Sequence, residues 1–406
     1  MTFRDVLSVV VMRRVWYAQI VSLFGDFLAL YAVISVVSFK MHGTATQLTW
    51  VQIAYMLPLA ILGPLSGVFV DRWPLKATLV ISDLSRAVLA LLLVVSTSLW
   101  HIYFVLMAIS CVSSFFAPAQ SVTIRSHVPR DGLLAANALM QIATMGIRIL
   151  GPAAAGALVA GFGANLCYSV DVLSFLASAS LIGTVAIRRS MAAPAPEATA
   201  NNQIHALWND MLQGLRFIAG HAALSFVVAA MAAGLFTVGC FGPLIAIYVR
   251  ESLHASAATF GLVSAAIGVG MMIGTQGIRA FATRATNETM VLTGLAGIGA
   301  GALLLGAWPH VAVAFAGTFT IGLAFAAIIV PAQTLMQQET PQELMGRISS
   351  TVMSVVFFAQ VLGLVLSGVL AQALGVRAVF VLCAALAVVL AFGGRMFLRH
   401  ADRAAA

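Results

Sequence analysis

Long apolar runs, punctuated by short clusters of Arg, Asp, Pro and Gly, occupy almost the whole chain. A helix crossing a bilayer needs about 20 mostly apolar residues. Delimiting the runs at charges, Pro and Gly predicts six spans at roughly 15–38, 48–70, 77–98, 102–122, 138–160 and 166–187. Six more follow at roughly 222–248, 258–280, 289–307, 310–332, 350–372 and 376–398. Between the two sets lies the only long loop, whose MAAPAPEATANN stretch (191–202) is Pro/Ala/Asn-rich; the 204–217 segment behind it can form an amphipathic interfacial helix. The predicted organisation is an N-terminal six-helix bundle (1–187), a linker (188–221) and a C-terminal six-helix bundle (222–406).

Composition narrows the class. Of 406 residues, 61% are hydrophobic and only 8% are charged, against about 25% charged in soluble domains. A water-soluble shell, disorder, collagen and coiled coil are excluded, leaving an all-α integral membrane protein with twelve transmembrane helices. In such a chain the formal charge of +8 says less than its distribution, so nucleic acid is not an expected partner. Sixteen Lys and Arg fall on one side of the predicted spans and three (Lys40, Arg250, Arg377) on the other. By the positive-inside rule both termini and the linker are expected in the cytoplasm. The first helix should stay as an anchor, because no small-residue cleavage pattern follows it. Cys111, Cys167, Cys240 and Cys383 are far apart within apolar runs, which fits neither a disulfide framework nor a metal site.

The halves repeat each other. LGPAAAGALVAGFG (150–163) aligns with LGLVLSGVLAQALG (362–375) at an offset of 212, pairing Gly151, Gly156 and Gly163 with Gly363, Gly368 and Gly375. The same offset carries His42 to His254 and Arg72 to Arg284, and PAQ recurs at 118–120 and 331–333. Six helices per copy is an even number, so both copies enter the membrane from the same side, and two pseudo-symmetric bundles can rock about a central site.

Ionisable residues within spans are costly, at about 2.5–3.5 kcal/mol near mid-bilayer on the insertion scale, and mark candidate sites. Asp26, in the middle of helix 1, is the expected proton-coupling carboxylate. Arg148, halfway along helix 5, needs an acidic partner, a carbonyl cluster or an anionic substrate; by depth Asp26 is its nearest expected partner. Asp83 and Arg86, three residues apart on helix 3, are expected to pair locally or with the Asp71 loop. Asp171 sits about one turn inside helix 6, where water should relieve it. Aromatic residues, Tyr31 and Phe236 foremost, are candidate walls for an amphipathic ligand.

Between helices 2 and 3 stands GVFVDRWPLK (67–76), where Gly67 allows close helix approach and Asp71, Arg72 and Lys76 can latch one conformation. Helix 5 carries Gly151, Pro152 and Gly156, a kink and a close-packing surface. The first segment resembles the loop 2-3 signature of the major facilitator superfamily, with Pro74 and Leu75 departing from it. The second is similar to the helix 5 pattern of that superfamily's drug:proton antiporters. With FFAPAQSVTIRSHVPRDGLLAANAL (115–139), SDLSRA (82–87) and TPQELMGRISS (340–350), the chain resembles the branch of macrolide efflux proteins and the enterobactin exporter.

The resemblance implies a multi-pass transporter of a bacterial-type inner membrane, a monomer exporting its substrate. The expected function is proton-coupled efflux of small amphipathic compounds such as drugs, with the bilayer as surroundings and no cofactor or metal. Two alternatives stay open: an exporter of an anionic metabolite such as a siderophore, and a membrane sensor or scaffold that transports nothing. Both lysines lack a phosphate-binding glycine loop, and no HExxH or other catalytic constellation is present, so neither an ATP-driven pump nor an enzyme is expected.

Overall fold

The computed structural model describes residues 1–70, 72–187, 211–281, 285–341 and 344–405; among them the regular structure is helical, with no strand. Among the described residues, twelve helices are long and apolar enough to cross a bilayer. The first six are α1 (Val10–Ser35), α2 (Ala45–Val70), α3 (Leu75–Val94), α4 (Leu99–His127), α5 (Leu133–Phe162) and α6 (Ala164–Gly183). The second six are α7 (Ala222–Ile247), α8 (Ala257–Phe281), α9 (Asn287–Ala307), α10 (Val311–Glu339), α11 (Met345–Leu374) and α12 (Val376–Ala405). A short helix, Phe3–Ser8, precedes α1. Asp71, Arg284 and the 191–202 segment lie outside the described residues; of the expected interfacial helix, 211–217 is described and is helical.

Several helices outrun the apolar segments that announced them. α4 continues to His127, with Arg125 and His127 in its last turn, and α1 starts at Val10 instead of 15. Backbone hydrogen bonding continues into the headgroup region, whereas the hydropathy signal stops where hydrocarbon ends. α4, α5, α7 and α10 also run unbroken through Pro118, Pro152, Pro243 and Pro331.

The duplication extends to backbone detail. Helix starts at 10, 45, 75, 99, 133 and 164 recur at 222, 257, 287, 311, 345 and 376, each 212 positions on. α1 and α7 both end in a five-residue π-helical turn, Val36–Lys40 and Tyr248–Ser252. Each turn is followed by a histidine in the left-handed region, His42 at φ 51° and His254 at φ 49°, a conformation few non-glycine residues adopt. Gly163 (φ 83°) and Gly375 (φ 86°) make the matching turns between the last two helices of each half. There a left-handed φ ends one helix and admits the next without a steric penalty from Cβ.

The chain divides into two compact units. The first is Met1–Ala192 with His254–Ala265, which takes in the opening turns of α8; the second is Ala193–Leu253 with Ala266–Ala406. α3 shows how the first is organised. Its buried positions, Leu75, Thr78, Leu79, Ser82, Asp83, Arg86, Ala87, Ala90 and Leu93, recur at three- and four-residue spacing. Ile81, Val88 and Leu91 face outward. The helix therefore hides its polar residues and shows apolar ones, the reverse of a soluble amphipathic helix, because its surroundings are lipid. Trp50, Trp100 and Trp308, all exposed near helix ends, suit the bilayer interface, where an apolar ring and a polar N–H are both accommodated.

Candidate functional site

Within the first unit, the buried face of α3 brings Arg86 into a box built by three other helices. Its guanidinium donates to the Asp83 carboxylate one helical turn away and lies 3.6 Å from Asp26 Oδ2 on α1. The rings of Phe116 on α4 and Phe175 on α6 cover it, 4.5 and 4.4 Å from the guanidinium carbon. Arg stacks on aromatic faces in this way because its planar cation is weakly hydrated. The Arg86 and Asp83 side chains are 4% and 0% exposed and Asp26 13%, so Asp26 is the least buried of the three. Asp83 also accepts a 2.6 Å hydrogen bond from Ser178 on α6.

A third acid completes the group. Gly25 on α1 has no side chain, and a Cβ built there would stand 2.6 Å from Asp171 Oδ1 and still nearer the Ser174 hydroxyl. The missing Cβ thus lets α6 press Asp171 against α1 beside Asp26. Asp171 is 1% exposed, so water does not relieve it as its position near the end of helix 6 suggested. Its nearest side-chain hydrogen bond is a long one, 3.4 Å from Ser174. Asp83 and Asp26 therefore share one guanidinium, and Asp171 is buried against α1 at Gly25 with, among the described residues, no cation within ion-pair distance. Among the described residues, no group of three or more His, Cys, Asp or Glu could hold a metal ion.

The second unit carries no counterpart. At an offset of 212, Asp26, Asp83, Arg86 and Asp171 become Val238, Leu295, Ile298 and Cys383, while Phe116 and Phe175 become Ile328 and Ala387. Leu295, Ile298, Ile328 and Ala387 sit together in that unit's hydrophobic core. The same helix arrangement thus closes over apolar residues, and the backbone plan by itself does not require charges here.

The other sequence candidates scatter. Arg148 does not meet Asp26 in an ion pair: it is exposed on α5 and, among the described residues, has no carboxylate within ion-pair distance, because Asp26 turns toward α3. Tyr31 stacks between Phe27 (6.3 Å between centroids) and Phe260 (5.6 Å). Phe260, on the part of α8 that belongs to this unit, carries no polar signal that would single it out in sequence. Phe236 lies in the second unit, its carbonyl closely approached by Gly363 on α11.

Around Gly67, among the described residues, a Cβ would meet nothing within 4 Å. Arg72 is exposed and Asp71 is outside the described residues. Lys76 donates to the carbonyl of Gly183 at 2.7 Å, so it ties the start of α3 to the negative end of α6. Gly151 abuts Phe27: a Cβ would fall 2.7 Å from that residue's own Cβ. Gly156 meets Gly261 of the first unit's α8 segment backbone to backbone, a Cβ there lying 2.9 Å from the Gly261 Cα; one on Gly261 would meet the Pro152 carbonyl.

A family model described as transmembrane secretion effector (MFS_3) matches residues 5–406. The chain belongs to that family. It is 26% identical to the uncharacterized MFS-type transporter YfiS of Bacillus subtilis, over 92% of this chain and 89% of that one. It is 23% identical to macrolide efflux protein A of Streptococcus pyogenes, with 93% of each covered. To the multidrug efflux pump Tap of Mycolicibacterium fortuitum it is 24% identical, with 84% of each covered. Among solved structures, a bacterial homologue of the human lysosomal transporter Spinster superimposes with TM-score 0.74 at 13% identity, covering 96% of this chain and 98% of that one. The nucleoside transporter NupG gives 0.73 at 13% identity, covering 96% and 99%. The family and the fold are those of major facilitator transporters.

Proposed function

We propose that this chain is a proton-coupled exporter of small amphipathic compounds that works by alternating access, with Asp26 as its coupling carboxylate. The observation that carries the reading is the one-sided charge cluster: where the sister bundle closes over Leu295 and Ile298, the first holds Asp26 and Asp83 on Arg86 and a third buried acid, Asp171, against α1 at Gly25. If all three acids ionised, two negative charges would lack a compensating cation in a low-dielectric interior, and a bound proton is the simplest compensation. Asp26 is the least buried member, which favours it as the place where protons exchange. Protonation there removes the Asp26–Arg86 attraction while Arg86 keeps Asp83, which loosens α1 from α3 without stranding the cation. Efflux as the direction is supported by the relatives that export macrolides and multiple drugs. The excess of Lys and Arg on one side of the spans supports cytoplasmic termini in a bacterial-type inner membrane; we read the working unit as a monomer.

The test is purified protein in liposomes containing a pH-sensitive dye, with an imposed pH gradient and ethidium or erythromycin as substrate. Gradient-driven substrate movement with matching proton counterflow is expected in the wild type and loss of both in Asp26→Asn. Undiminished gradient-driven transport by Asp26→Asn overturns the assignment.

A further inference from the structure

Asp171 is a buried acid that the pairing of Arg86 with Asp26 and Asp83 does not use. It is 1% exposed, and the Gly25 backbone of α1 lies against it, a Cβ there falling 2.6 Å from Oδ1. The ordinary ways of stabilising a buried carboxylate are closed to it. α6 packs on α1, α3 and α5, whose charged groups within the spans are Asp26, then Asp83 and Arg86, then Arg148. Among the described residues Arg86 pairs with Asp26 and Asp83, and Arg148 is exposed. The titratable neighbours on α6 itself, Cys167 and Tyr168, are buried as well. Gly25 is mid-helix, so the N–H groups of α1 are taken up within that helix. Asp171 stands about two turns into α6, beyond the free N–H groups at its start.

The one side chain that does reach it has its proton directed elsewhere. The Ser174 hydroxyl donates to the Asp171 carbonyl at 2.7 Å, and a hydroxyl carries a single proton. Across the 3.4 Å to Oδ1 its lone pairs suit an acid O–H better than a carboxylate. At an offset of 212, Gly25, Asp171 and Ser174 become Thr237, Cys383 and Leu386. Cys383 is 2% exposed, so the sister bundle fills this place with an uncharged group.

We propose that Asp171 is a second proton carrier of the transport cycle: it holds a proton while it lies against Gly25 and releases it to water when α6 parts from α1. A carboxylate formed in the closed contact would stand in a low-dielectric interior without a donor, a cost that separation and hydration remove. The proton on Asp171 therefore favours the α1–α6 contact, whereas the proton on Asp26 loosens α1 from α3. Each proton is taken from water on one side of the membrane and returned to water on the other, so two cross for each substrate. This deepens the proton-coupled reading and rests on it: with one proton on Asp26, the buried group still has one negative charge to neutralise, and it is on Asp171.

Infrared spectra of the full chain in dodecyl maltoside, which has no carbonyl, test the resting proton. At pH 7 the wild type should show a carboxylic C=O band, which ionised carboxylates lack. Asp26→Asn should keep it, and both Asp171→Asn and Asp171→Cys should lose it; the cysteine is what the sister bundle already accommodates at this place. No such band in the wild type, or one that the Asp171 variants retain, overturns the proposal.

Cycling is read in liposomes from the opposing ethidium gradient that halts flux, with the membrane potential clamped by potassium and valinomycin. Two protons per substrate make that gradient rise hundredfold per unit of pH gradient in the wild type, and an Asp171 variant that transports should show tenfold. A packing defect slows flux without moving this ratio. Tenfold in the wild type, which needs no variant to fold, leaves the coupling reading intact and sinks the second carrier alone, as does a hundredfold slope in Asp171→Cys. A halting gradient indifferent to pH sinks the coupling reading itself.

Discussion

Asp26 on α1 lies 3.6 Å from Arg86 on α3, and Arg86 is at the same time bound to Asp83 on its own helix. The cation is thus shared unequally between a partly accessible acid and a fully buried one. Neutralising the accessible acid leaves Arg86 paired. Asp26→Asn should therefore fold and melt close to the wild type while losing gradient-driven efflux by tenfold or more, read by thermal unfolding and liposome flux on the same preparation.

Arg86 should respond differently. Removing it strands Asp83, and breaking a buried pair from one side costs about 3–5 kcal/mol. Arg86→Gln is expected to lower the melting temperature sharply and reduce the yield of monodisperse protein, even where Asp26→Asn does not. Equal stability of the two variants would show that Arg86 does not organise the four helices around it.

The sister bundle supplies a replacement set. A quadruple variant, Asp26→Val, Asp83→Leu, Arg86→Ile and Asp171→Cys, writes the second unit's residues at the four ionic positions into the first. Exchanging a whole buried ionic group for apolar residues is often neutral or stabilising, by about 1–4 kcal/mol. The variant should keep its helical content and melt no lower than the wild type, yet move no substrate in response to a pH gradient. A variant that fails to fold would make the cluster a structural requirement of this bundle.

Glycine positions give a steric check. Gly25→Ala places a methyl 2.6 Å from Asp171 Oδ1, so α1 and α6 must part. The expected loss is about 1–3 kcal/mol, whereas Gly67→Ala, where a Cβ meets nothing within 4 Å, should leave stability unchanged. Thermal unfolding of the two variants side by side decides the matter.

At the N-terminus, Asp5 accepts a 2.8 Å hydrogen bond from the Thr2 backbone N–H, while the Thr2 hydroxyl accepts one from the Asp5 N–H. These bonds hold the Asp5 carboxyl below its ordinary range, the Thr2 backbone bond contributing most. A carboxylate lowered in the folded state stabilises the fold above its unfolded pKa and loses that effect as pH falls through the folded value. The Phe3–Ser8 helix should therefore fray only in acid, below the usual carboxylate range. Protection of the amides across residues 3–8, corrected for the intrinsic exchange rate, should hold near pH 6 and fall toward pH 2, and Asp5→Asn should remove that pH dependence.

How much of this was legible beforehand depends on whether a property is local. Twelve spans, their order and the duplication are carried by apolar runs and short motifs. His42 with His254, and Gly163 with Gly375, were visible as matching letters, and the structure shows matching left-handed turns. Helix formation in lipid is obligatory for a span, since every backbone group must find its partner within the segment. The chemistry of the site needed more. Depth along a helix can be read from sequence, but the direction a side chain takes around the helix axis depends on which neighbour it packs against. Depth paired Asp26 with Arg148; packing turned it to Arg86, roofed that arginine with Phe116 and Phe175, and buried Asp171 against Gly25. Sequence by itself determined where the chain crosses and that it does so twice over, because hydropathy and backbone hydrogen bonding act within one segment. Which charge meets which was decided only in the tertiary structure, because that choice is made between helices.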